Sequence, residues 1–511
     1  MINYSVSKQL LRNSRNFLEP KYYSFLDQCL SKKGIFYGWG RKKSGLKAIK
    51  LSKKLDTSFV LLEDGFIRSL GLGVENAPSF SLVKDNIGIY YDATAPSKLE
   101  NILNNYDFKS DATLMQTAKD AMALIKKHHV SKYNNAPDIN DDLFKYDQKQ
   151  KVLIVTQTEG DASLEYGLGN MFSTKQMIED AIRDNPAASI YIKIHPDVLS
   201  GKKKSDFSIS NIPERCIILD KDVNPISLLK NFNKVYTKTS GMGMEALILD
   251  LEVICYGIPY YAGWGLTEDR QRCTRRTRNL NVEELFAGAY ILYTQYCNPY
   301  TIKESHIIDT IQTIIKYRDI MDKNNGKLYA FGFTWWKKLF MKLFFTPLSN
   351  NKIFFCANLQ KAIKKGLDAN SKIYIWGKKA FPEVESYAKA QNIPLLRVED
   401  GFVRSVSLGS DLTKAYSLVV DSRGIYFDPT QESDLEYMLN TYVFEDELLE
   451  RAQKLQQYLI QNKISKYNAD KEMKLHLPTL KESQMVIMVP GQVEDDASII
   501  YGANGMTNLE L

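Results

Sequence analysis

Cysteine, histidine and long apolar stretches are scarce in this 511-residue chain, and each scarcity excludes a class of protein. The six cysteines are scattered without a C-x-x-C pair, so neither a zinc ribbon nor a disulfide framework is indicated. No apolar run reaches the roughly 18 residues of a membrane-spanning helix, and the first residues lack the apolar core of a signal peptide. We therefore expect a cytoplasmic protein.

A strong charge of one sign is also missing. The chain has 67 Lys and Arg against 60 Asp and Glu, a net charge of +7, and no long basic tract accompanies it. This balance permits an anionic substrate or membrane surface, and it does not favour nucleic acid as a partner. The apolar content is that of an ordinary globular protein, and the length allows several domains of roughly 100–200 residues each.

A long internal repeat is the most informative feature that is present. Three segments of the first half return about 336 residues later: Glu63-Asp64-Gly65-Phe66-Ile67-Arg68-Ser69 as 399–405, Ser131-Lys132-Tyr133-Asn134 as 465–468, and the segment 157–163 as 492–498. A period of this length indicates a duplication of whole modules, since solenoid repeats recur every few tens of residues. The second copy holds no counterpart of the later segments of the first copy. We therefore expect an incomplete second module, with the first copy alone active.

Apolar strand patterns alternate with helical patterns, which predicts an α/β fold with parallel sheets. The predicted strands are 34–40, 58–62, 87–91, 151–155, 189–193, 216–219, 234–236 and 252–256, with a polar segment at 134–150 between two sheets. Each module is predicted to contain two Rossmann-like domains facing across a cleft, with ligands at the carboxyl ends of the strands. The predicted domains are residues 1–148 and 149–325 in the first module and 367–480 and 481–511 in the second, joined by a linker at 326–366.

The predicted linker contains an unusual aromatic and basic segment, 331–345. Trp335 and Trp336 beside Lys337 and Lys338 suit a helix that lies in a membrane interface. A helix whose aromatic side chains are buried against one of the modules fits the same residues. Both interpretations stay open at this point.

Two acidic segments follow predicted strands of the first copy, where catalytic groups are commonly placed. Glu63 and Asp64 stand at a strand end with Arg68 close behind, a suitable position for a general base, although a helix-capping turn has the same composition. Glu159 and Asp161 lie two residues apart on a loop, so their charges repel and favour one ionised nucleophile. A solvated acidic loop or a metal site is the alternative for this pair.

Two further segments suit the binding of a phosphate. Lys193 and His195 close a strand, and a histidine held there can donate a hydrogen bond to a leaving phosphate. The hydroxyl and glycine residues at 237–243 open a helix that continues through Glu245, and its backbone N–H groups favour an anion. This is no Walker loop, because no Gly-Lys-Ser/Thr ends it. The Asp-x-Asp triplet at 220–222 is common by chance, and we predict no metal site.

Taken together and in this order, these segments resemble the KpsC-like family of capsule-polysaccharide β-Kdo transferases of Gram-negative bacteria. The Glu-Asp-Gly, His-Pro and Ser-Gly segments are also similar to motifs of bacterial sialyl- and polysialyltransferases. The resemblance implies tandem GT-B-like modules, each with an acceptor domain first and a donor domain second, the second module being incomplete. It further implies an enzyme that moves the acidic sugar Kdo from CMP-Kdo, its donor substrate, without a cofactor.

The resemblance also implies roles for individual residues. The implied donor-binding residues are His195, Lys193, Thr239, Ser240, Gly241 and Glu245. Asp161 would be the nucleophile of a retaining double displacement, supported by Glu159, and either Glu63 or Asp64 would be the general base towards the acceptor hydroxyl. Arg68 is a candidate for binding the acceptor or a carboxylate.

The implied partners are a phosphatidylglycerol-linked Kdo acceptor, the inner face of the cytoplasmic membrane and the capsule assembly and export machinery. The implied product is the β-Kdo linker of a capsular polysaccharide. Two other readings of the residues stay open. One is a GT-B enzyme that uses another nucleotide sugar, and the other is a non-enzymatic scaffold that binds a glycolipid.

Overall fold

A computed structural model describes residues 2–71, 77–194, 198, 204–207, 212–345, 352–408, 411–469, 487–493, 496–503, 505–507 and 510 of the chain. The chain divides into two compact units, unit 1 from Met1 to Arg318 and unit 2 from Asp319 to Leu511. Unit 1 holds two sheets and unit 2 holds one, counting only the described residues.

The first sheet of unit 1 is mixed. Its seven described strands are β1 (Asn3–Ser5), β2 (Lys21–Tyr22), β3 (Ile35–Trp39), β4 (Phe59–Asp64), β5 (Ser81–Asp85), β12 (Thr294–Asn298) and β13 (Lys303–Ser305), in the order β13-β12-β5-β4-β3-β1-β2. β1 to β4 pair in parallel, whereas β5, β12 and β13 pair antiparallel to their neighbours.

The second sheet of unit 1 is parallel throughout its described strands. These are β6 (Lys151–Val155), β7 (Ser189–Lys193), β8 (Cys216–Leu219), β9 (Lys234–Thr237), β10 (Glu252–Cys255) and β11 (Glu268–Asp269), in the order β11-β10-β9-β6-β7-β8. Numbered within this sheet, the order is 6-5-4-1-2-3, which is the doubly wound Rossmann order with its switch point between β6 and β9. Ile154, Ile190, Ile192 and Tyr236 form the centre of its buried core.

The sheet of unit 2 repeats part of the first sheet. Its described strands are β14 (Lys327–Phe331), β15 (Ile353–Cys356), β16 (Ser371–Trp376), β17 (Leu395–Asp400) and β18 (Leu418–Asp421), in the order β15-β14-β16-β17-β18. The order and the strand directions equal those of β2-β1-β3-β4-β5, with three parallel pairs and a final antiparallel one.

Helices connect these strands and cover the sheets. In unit 1 the described α-helices are Lys8–Ser14, Phe25–Cys29, Lys43–Leu55, Lys98–Asn105, Ala112–His128, Ala162–Tyr166, Thr174–Asp184, Pro225–Leu229, Met242–Ile248, Val282–Phe286 and Ile307–Lys323, the last of which continues into unit 2. The remaining described helices are Trp335–Phe345, Leu359–Lys364, Pro382–Ala390, Asp434–Thr441, Asp446–Gln461 and Ala497–Gly502.

Three predictions of the fold differ from the structure. Residues 87–91 are predicted as a strand, but the strand in this region is β5, which ends at Asp85, and residues 87–91 belong to the turn that follows it. Asp85 forms that turn because its carboxylate accepts hydrogen bonds from the N–H groups of Ile87 and Gly88 and from that of Lys98. The predicted 149–325 domain also differs, since β12 pairs with β5 and so returns the chain to the first sheet.

The prediction that residues 326–366 form a linker is wrong, because they contain strands of the sheet of unit 2. β14 and β15 lie inside this range and pair in parallel at one side of the sheet of unit 2. The helix Trp335–Phe345 buries Phe340, Met341 and Phe345 in the core beneath that sheet. The aromatic residues that looked like connecting sequence are therefore partly the hydrophobic core of unit 2.

Candidate active site

The centre of the candidate site is the switch point of the second sheet, where the loops after β6 and β9 meet. The Gln157 side chain bridges them: its Nε2 donates to Thr239 Oγ1 at 3.0 Å, and its Oε1 accepts from the Thr239 backbone N–H at 2.8 Å. Ser163 Oγ lies 3.0 Å from the same Thr239 hydroxyl. In an open α/β sheet the crevice for a ligand lies at this point, so both predicted loops border one site.

Asp161 stands at the start of the short helix Ala162–Tyr166. Its Oδ1 accepts the backbone N–H of Ser163 at 2.9 Å, which makes it the N-cap and fixes the direction of its carboxylate. The side chain is exposed, as is that of Glu159. Asp161 therefore combines a defined orientation with access from solvent, two properties that a nucleophile towards a bound sugar requires.

The helix after Asp161 contacts the edge of the first sheet. The carbonyl of Tyr166 accepts the N–H of Ala93 at 2.9 Å, and the Arg41 guanidinium lies 5.7 Å from the centre of the Tyr166 ring. Arg41 in turn donates through Nε to Asp92 Oδ2 at 2.5 Å. The helix that follows Asp161 therefore lies beside the segments that follow β3 and β5.

Glu63 is the most perturbed carboxylate at the edge of the first sheet. Burial first and the charge of Asp64 second raise the pKa of Glu63 to about 7. Its Oε1 accepts the indole N–H of Trp39 at 2.8 Å, and a Cβ at Gly40 would lie 2.8 Å from Oε2. Gly40 has φ +38°, so the backbone there follows a path that favours glycine and lets the chain pass close to this carboxylate.

Asp64 and Arg68 were predicted as separate functional groups, and the structure pairs them. Arg68 Nε lies 2.9 Å from Asp64 Oδ1, and Arg68 Nη1 donates to Ser69 Oγ at 2.8 Å. The guanidinium is thus engaged with the protein's own loop. Between the two predicted general bases, Glu63 has the pKa suited to accepting a proton near neutral pH.

Lys132 is a site residue to which the sequence analysis gave no role. Burial acts to lower the pKa of its ammonium group, but Tyr90, Tyr133, Asp64 and Glu63 surround it and raise that pKa above its ordinary value. Its backbone carbonyl accepts the N–H of Arg68 at 2.9 Å, which fixes the segment beside the Glu63 loop. The repeated Ser-Lys-Tyr-Asn segment was the signal that could have revealed it.

Glu245 lies next to this segment instead of facing open solvent. Its carboxylate accepts the hydroxyl of Ser131, and the side chain is buried. Burial, opposed by the Ser131 hydrogen bond, raises the pKa of Glu245 to about 7. The structure therefore places this predicted donor-binding residue at the junction between the loop at 131–134 and the helix Met242–Ile248.

The remaining predicted donor-binding residues border the second sheet. The N–H of Ser240 donates to Thr237 Oγ1 at 3.2 Å, and a Cβ at Gly241 would meet no described atom within 4 Å, so the space above the turn is open. Lys193 Nζ donates to the Lys221 carbonyl at 3.2 Å, and burial lowers the pKa of Lys193. His195 lies outside the described residues.

Unit 2 reproduces the contacts around Glu63 and Asp64, and its counterpart residues Glu399, Asp400 and Arg404 are called the acidic corner of unit 2. Arg404 Nε lies 2.9 Å from Asp400 Oδ2, the N–H of Arg404 donates to the Lys466 carbonyl at 2.8 Å, and burial raises the pKa of Glu399. Asp496 is again the N-cap of a short helix and accepts the N–H of Ser498 at 2.8 Å. The residues that repeat in sequence thus repeat in local contacts.

Within the described ranges, His, Cys, Asp and Glu side chains form no group of three or more suited to a metal ion. Over the same part of the chain, no helix has both the length and the apolarity that crossing a bilayer requires.

Comparisons with known proteins identify the family and several relatives of the chain. Residues 36–297 and 371–509, more than half of the chain, match the family described as capsule polysaccharide biosynthesis protein. The capsule polysaccharide modification protein LipA of Neisseria meningitidis serogroup A is 41% identical over 474 residues, which cover 91% of this chain and 66% of LipA. The chain therefore spans slightly less than two thirds of that relative.

Two solved structures from Thermosulfurimonas dismutans share the fold. The KpsC β-Kdo 2,4 transferase is 40% identical with a TM-score of 0.56, covering 61% of this chain and 98% of that chain. The KpsC β-Kdo 2,7 transferase is 28% identical with a TM-score of 0.50, covering 62% and 100%. These likenesses confirm the predicted α/β class with GT-B-like modules, and the chain belongs to the KpsC-like family of capsule polysaccharide biosynthesis proteins.

Proposed function

We propose that unit 1 is a glycosyltransferase that moves Kdo from CMP-Kdo to a lipid-linked acceptor with retention of anomeric configuration. The observation that carries this proposal is the hydrogen-bonded junction of Gln157 with Thr239 at the switch point, with Asp161 opening the adjacent helix. Both solved relatives are β-Kdo transferases, which supports Kdo as the sugar.

The proposed reaction has two displacements. The Asp161 carboxylate attacks the anomeric carbon of Kdo, the bond from that carbon to the phosphate oxygen breaks, and the electron pair leaves with CMP. The acceptor hydroxyl then attacks the same carbon, Glu63 takes the hydroxyl proton, and the bond to Asp161 breaks. Two inversions at one carbon give net retention.

The departing phosphate gains negative charge, and the turn at Thr239, Ser240 and Gly241 is where we place it. Backbone N–H groups at the start of Met242–Ile248 and the ammonium group of Lys193 would stabilise that charge. Glu159, exposed beside Asp161, would support the nucleophile loop. We propose that the reaction needs no metal ion, because these groups supply the positive potential.

We further infer that the reaction takes place at the inner face of the cytoplasmic membrane. The acceptor would be a phosphatidylglycerol-linked Kdo, and the product would be the β-Kdo linker passed to the capsule assembly and export machinery. The support for this setting is membership of the capsule family.

The test compares Asp161→Asn with Asp496→Asn, the equivalent change in unit 2. With CMP-Kdo and a Kdo-bearing lipid mimic, we expect Asp161→Asn to lower transfer at least about a thousandfold, while Asp496→Asn leaves it unchanged. Incubation of the wild-type protein with CMP-Kdo alone should add the mass of one Kdo to the peptide that contains Asp161. Transfer that survives Asp161→Asn, or a product of inverted configuration, would refute the mechanism.

A further inference from the structure

The helix Trp335–Phe345 has apolar side chains on both of its faces. One face carries Phe340, Met341 and Phe345 into the core of unit 2. On the other face, Trp335, Leu339 and Leu343 are 67%, 70% and 68% exposed. Exposed apolar side chains that form a contiguous patch mark a surface for a protein or membrane partner.

The stripe is continuous because its three residues are spaced four apart. Side chains at positions i and i+4 of a helix lie on the same face, one above the other. Lys338 and Lys342 are exposed beside this stripe. The outward face therefore presents one tryptophan, two leucines and two cations.

The surrounding sequence carries charge of one sign only. Residues 323–367 include nine Lys and neither Asp nor Glu. A helix of this composition suits the interface of an anionic bilayer, where Trp and Leu enter the acyl boundary and Lys pairs with lipid phosphates. A protein partner would need an apolar groove with an acidic rim. An anionic membrane supplies both an apolar interior and negatively charged headgroups.

The same helix also reaches the acidic corner of unit 2. Lys337 Nζ lies 3.1 Å from the centre of the Trp376 ring. Burial lowers the pKa of Lys337 to about 8, against the opposing charges of Asp400 and Glu399. One face of a single helix thus meets solvent, while another carries Lys337 onto Trp376 and into the electrostatic range of Asp400 and Glu399.

We propose that the exposed face of Trp335–Phe345 docks unit 2 on an anionic phospholipid surface. The helix lies in the plane of the interface, with Trp335, Leu339 and Leu343 inserted and Lys338 and Lys342 at the headgroups. The purpose of this docking rests on the proposed function. It would hold the acidic corner of unit 2 beside a membrane that carries the lipid-linked acceptor.

The experiment is flotation of the full chain with vesicles, without CMP-Kdo or acceptor. We expect binding to phosphatidylcholine vesicles containing phosphatidylglycerol, and weaker binding to pure phosphatidylcholine. The triple change Trp335→Ser, Leu339→Ser and Leu343→Ser should abolish binding. The double change Lys338→Glu and Lys342→Glu should weaken it at least about tenfold, and added salt should act in the same direction.

The matched control is the double change Leu455→Ser and Ile460→Ser. Both side chains are exposed and apolar on Asp446–Gln461, a helix that also carries acidic residues. We expect this control to bind vesicles like the wild-type protein. Circular dichroism should show unchanged folding in every variant, because the changed side chains face solvent.

Two outcomes would overturn the proposal. One is a wild-type chain that does not float with anionic vesicles, including the case in which the triple change instead dissolves a dimer. The other is a triple variant that floats as well as the control. In the triple variant, loss of flotation with intact Kdo transfer to a soluble acceptor would support docking. A wild-type protein that floats with anionic vesicles but transfers no Kdo would count only against the proposed enzyme function.

Discussion

The hydrogen bond from Trp39 to Glu63 controls the pH at which the proposed general base works. Glu63 has a pKa of about 7 and receives the indole N–H at 2.8 Å. This donor stabilises the ionised carboxylate more than the neutral acid, so its removal by Trp39→Phe should raise the pKa further. The direction follows from the sign of the charge alone.

The size of the shift follows from the strength of the bond. A hydrogen bond to a charged group contributes about 1.5–3 kcal/mol, and we take the lower end because the backbone N–H of Asp64 also donates to Glu63 Oε1. One pKa unit corresponds to about 1.4 kcal/mol, so the pKa should rise by about 1, from about 7 to about 8. At pH 6.5 the ionised fraction then falls about eightfold, while above pH 8.5 the two proteins converge.

The assay is kcat/KM for the acceptor, measured from pH 5.5 to 8.5 with saturating CMP-Kdo, because Glu63 acts in the step that consumes the acceptor. We expect the midpoint of the rising limb to move to higher pH in Trp39→Phe. Trp376→Phe, the equivalent change in unit 2, should leave the midpoint where it is. An unchanged midpoint, or one displaced to lower pH, would show that Glu63 does not take the acceptor proton.

Four further predictions concern the same site. Burial raises the pKa of Glu245 from 4.5 in the unfolded chain to about 7. Between these two pH values the folded protein keeps a proton on Glu245 that the unfolded chain has lost. The free energy of unfolding therefore falls as the pH rises from about 4.5 to about 7. Glu245→Gln should remove up to about 3 kcal/mol of this fall, measured by hydrogen exchange of the helix 242–248, and an unaltered pH dependence would contradict the burial argument. Gln157→Leu should raise the KM for CMP-Kdo about tenfold or more by freeing the loop at Thr239, whereas a change in acceptor KM alone would place Gln157 outside the donor site. Lys132→Met should shift the pH profile to higher pH, because Lys132 lowers the pKa of Glu63, and Lys132→Arg should restore it. Transfer should be unchanged in excess EDTA, and recovery on adding Mg²⁺ after a loss would show that a divalent ion takes part.

The loops that carry the site were predictable because they combine chemistry with position. Gln157 and Thr239 each follow an apolar strand, and parallel strands deliver their carboxyl ends to one edge of a sheet. The sequence could not show that these two loops border the same switch point. That depends on β9 pairing directly with β6, a contact between residues far apart in the chain.

The turn at 87–91, the packing of the helix Trp335–Phe345 and the role of Lys132 could not be predicted from the sequence. Ile87 to Tyr91 has strand composition, but the Asp85 side chain offers its backbone a turn instead. The helix Trp335–Phe345 looked like a linker because aromatic residues fit a core and an interface equally well. Lys132 lies in a repeated segment, but the repeat does not show that the folded loop brings it beside Glu63.

The return of β12 to the first sheet means that the two halves of unit 1 are tied together twice. The chain leaves the first sheet through 134–150 and comes back at β12, which begins at Thr294. Arg275 Nε and Glu100 Oε2 lie 2.9 Å apart and form an ion pair between the halves. Two chain crossings limit how far the two halves of unit 1 can separate. Any opening and closing around a sugar nucleotide would have to keep both chain crossings intact. A protease cut in 134–150 would leave both halves attached through the second crossing.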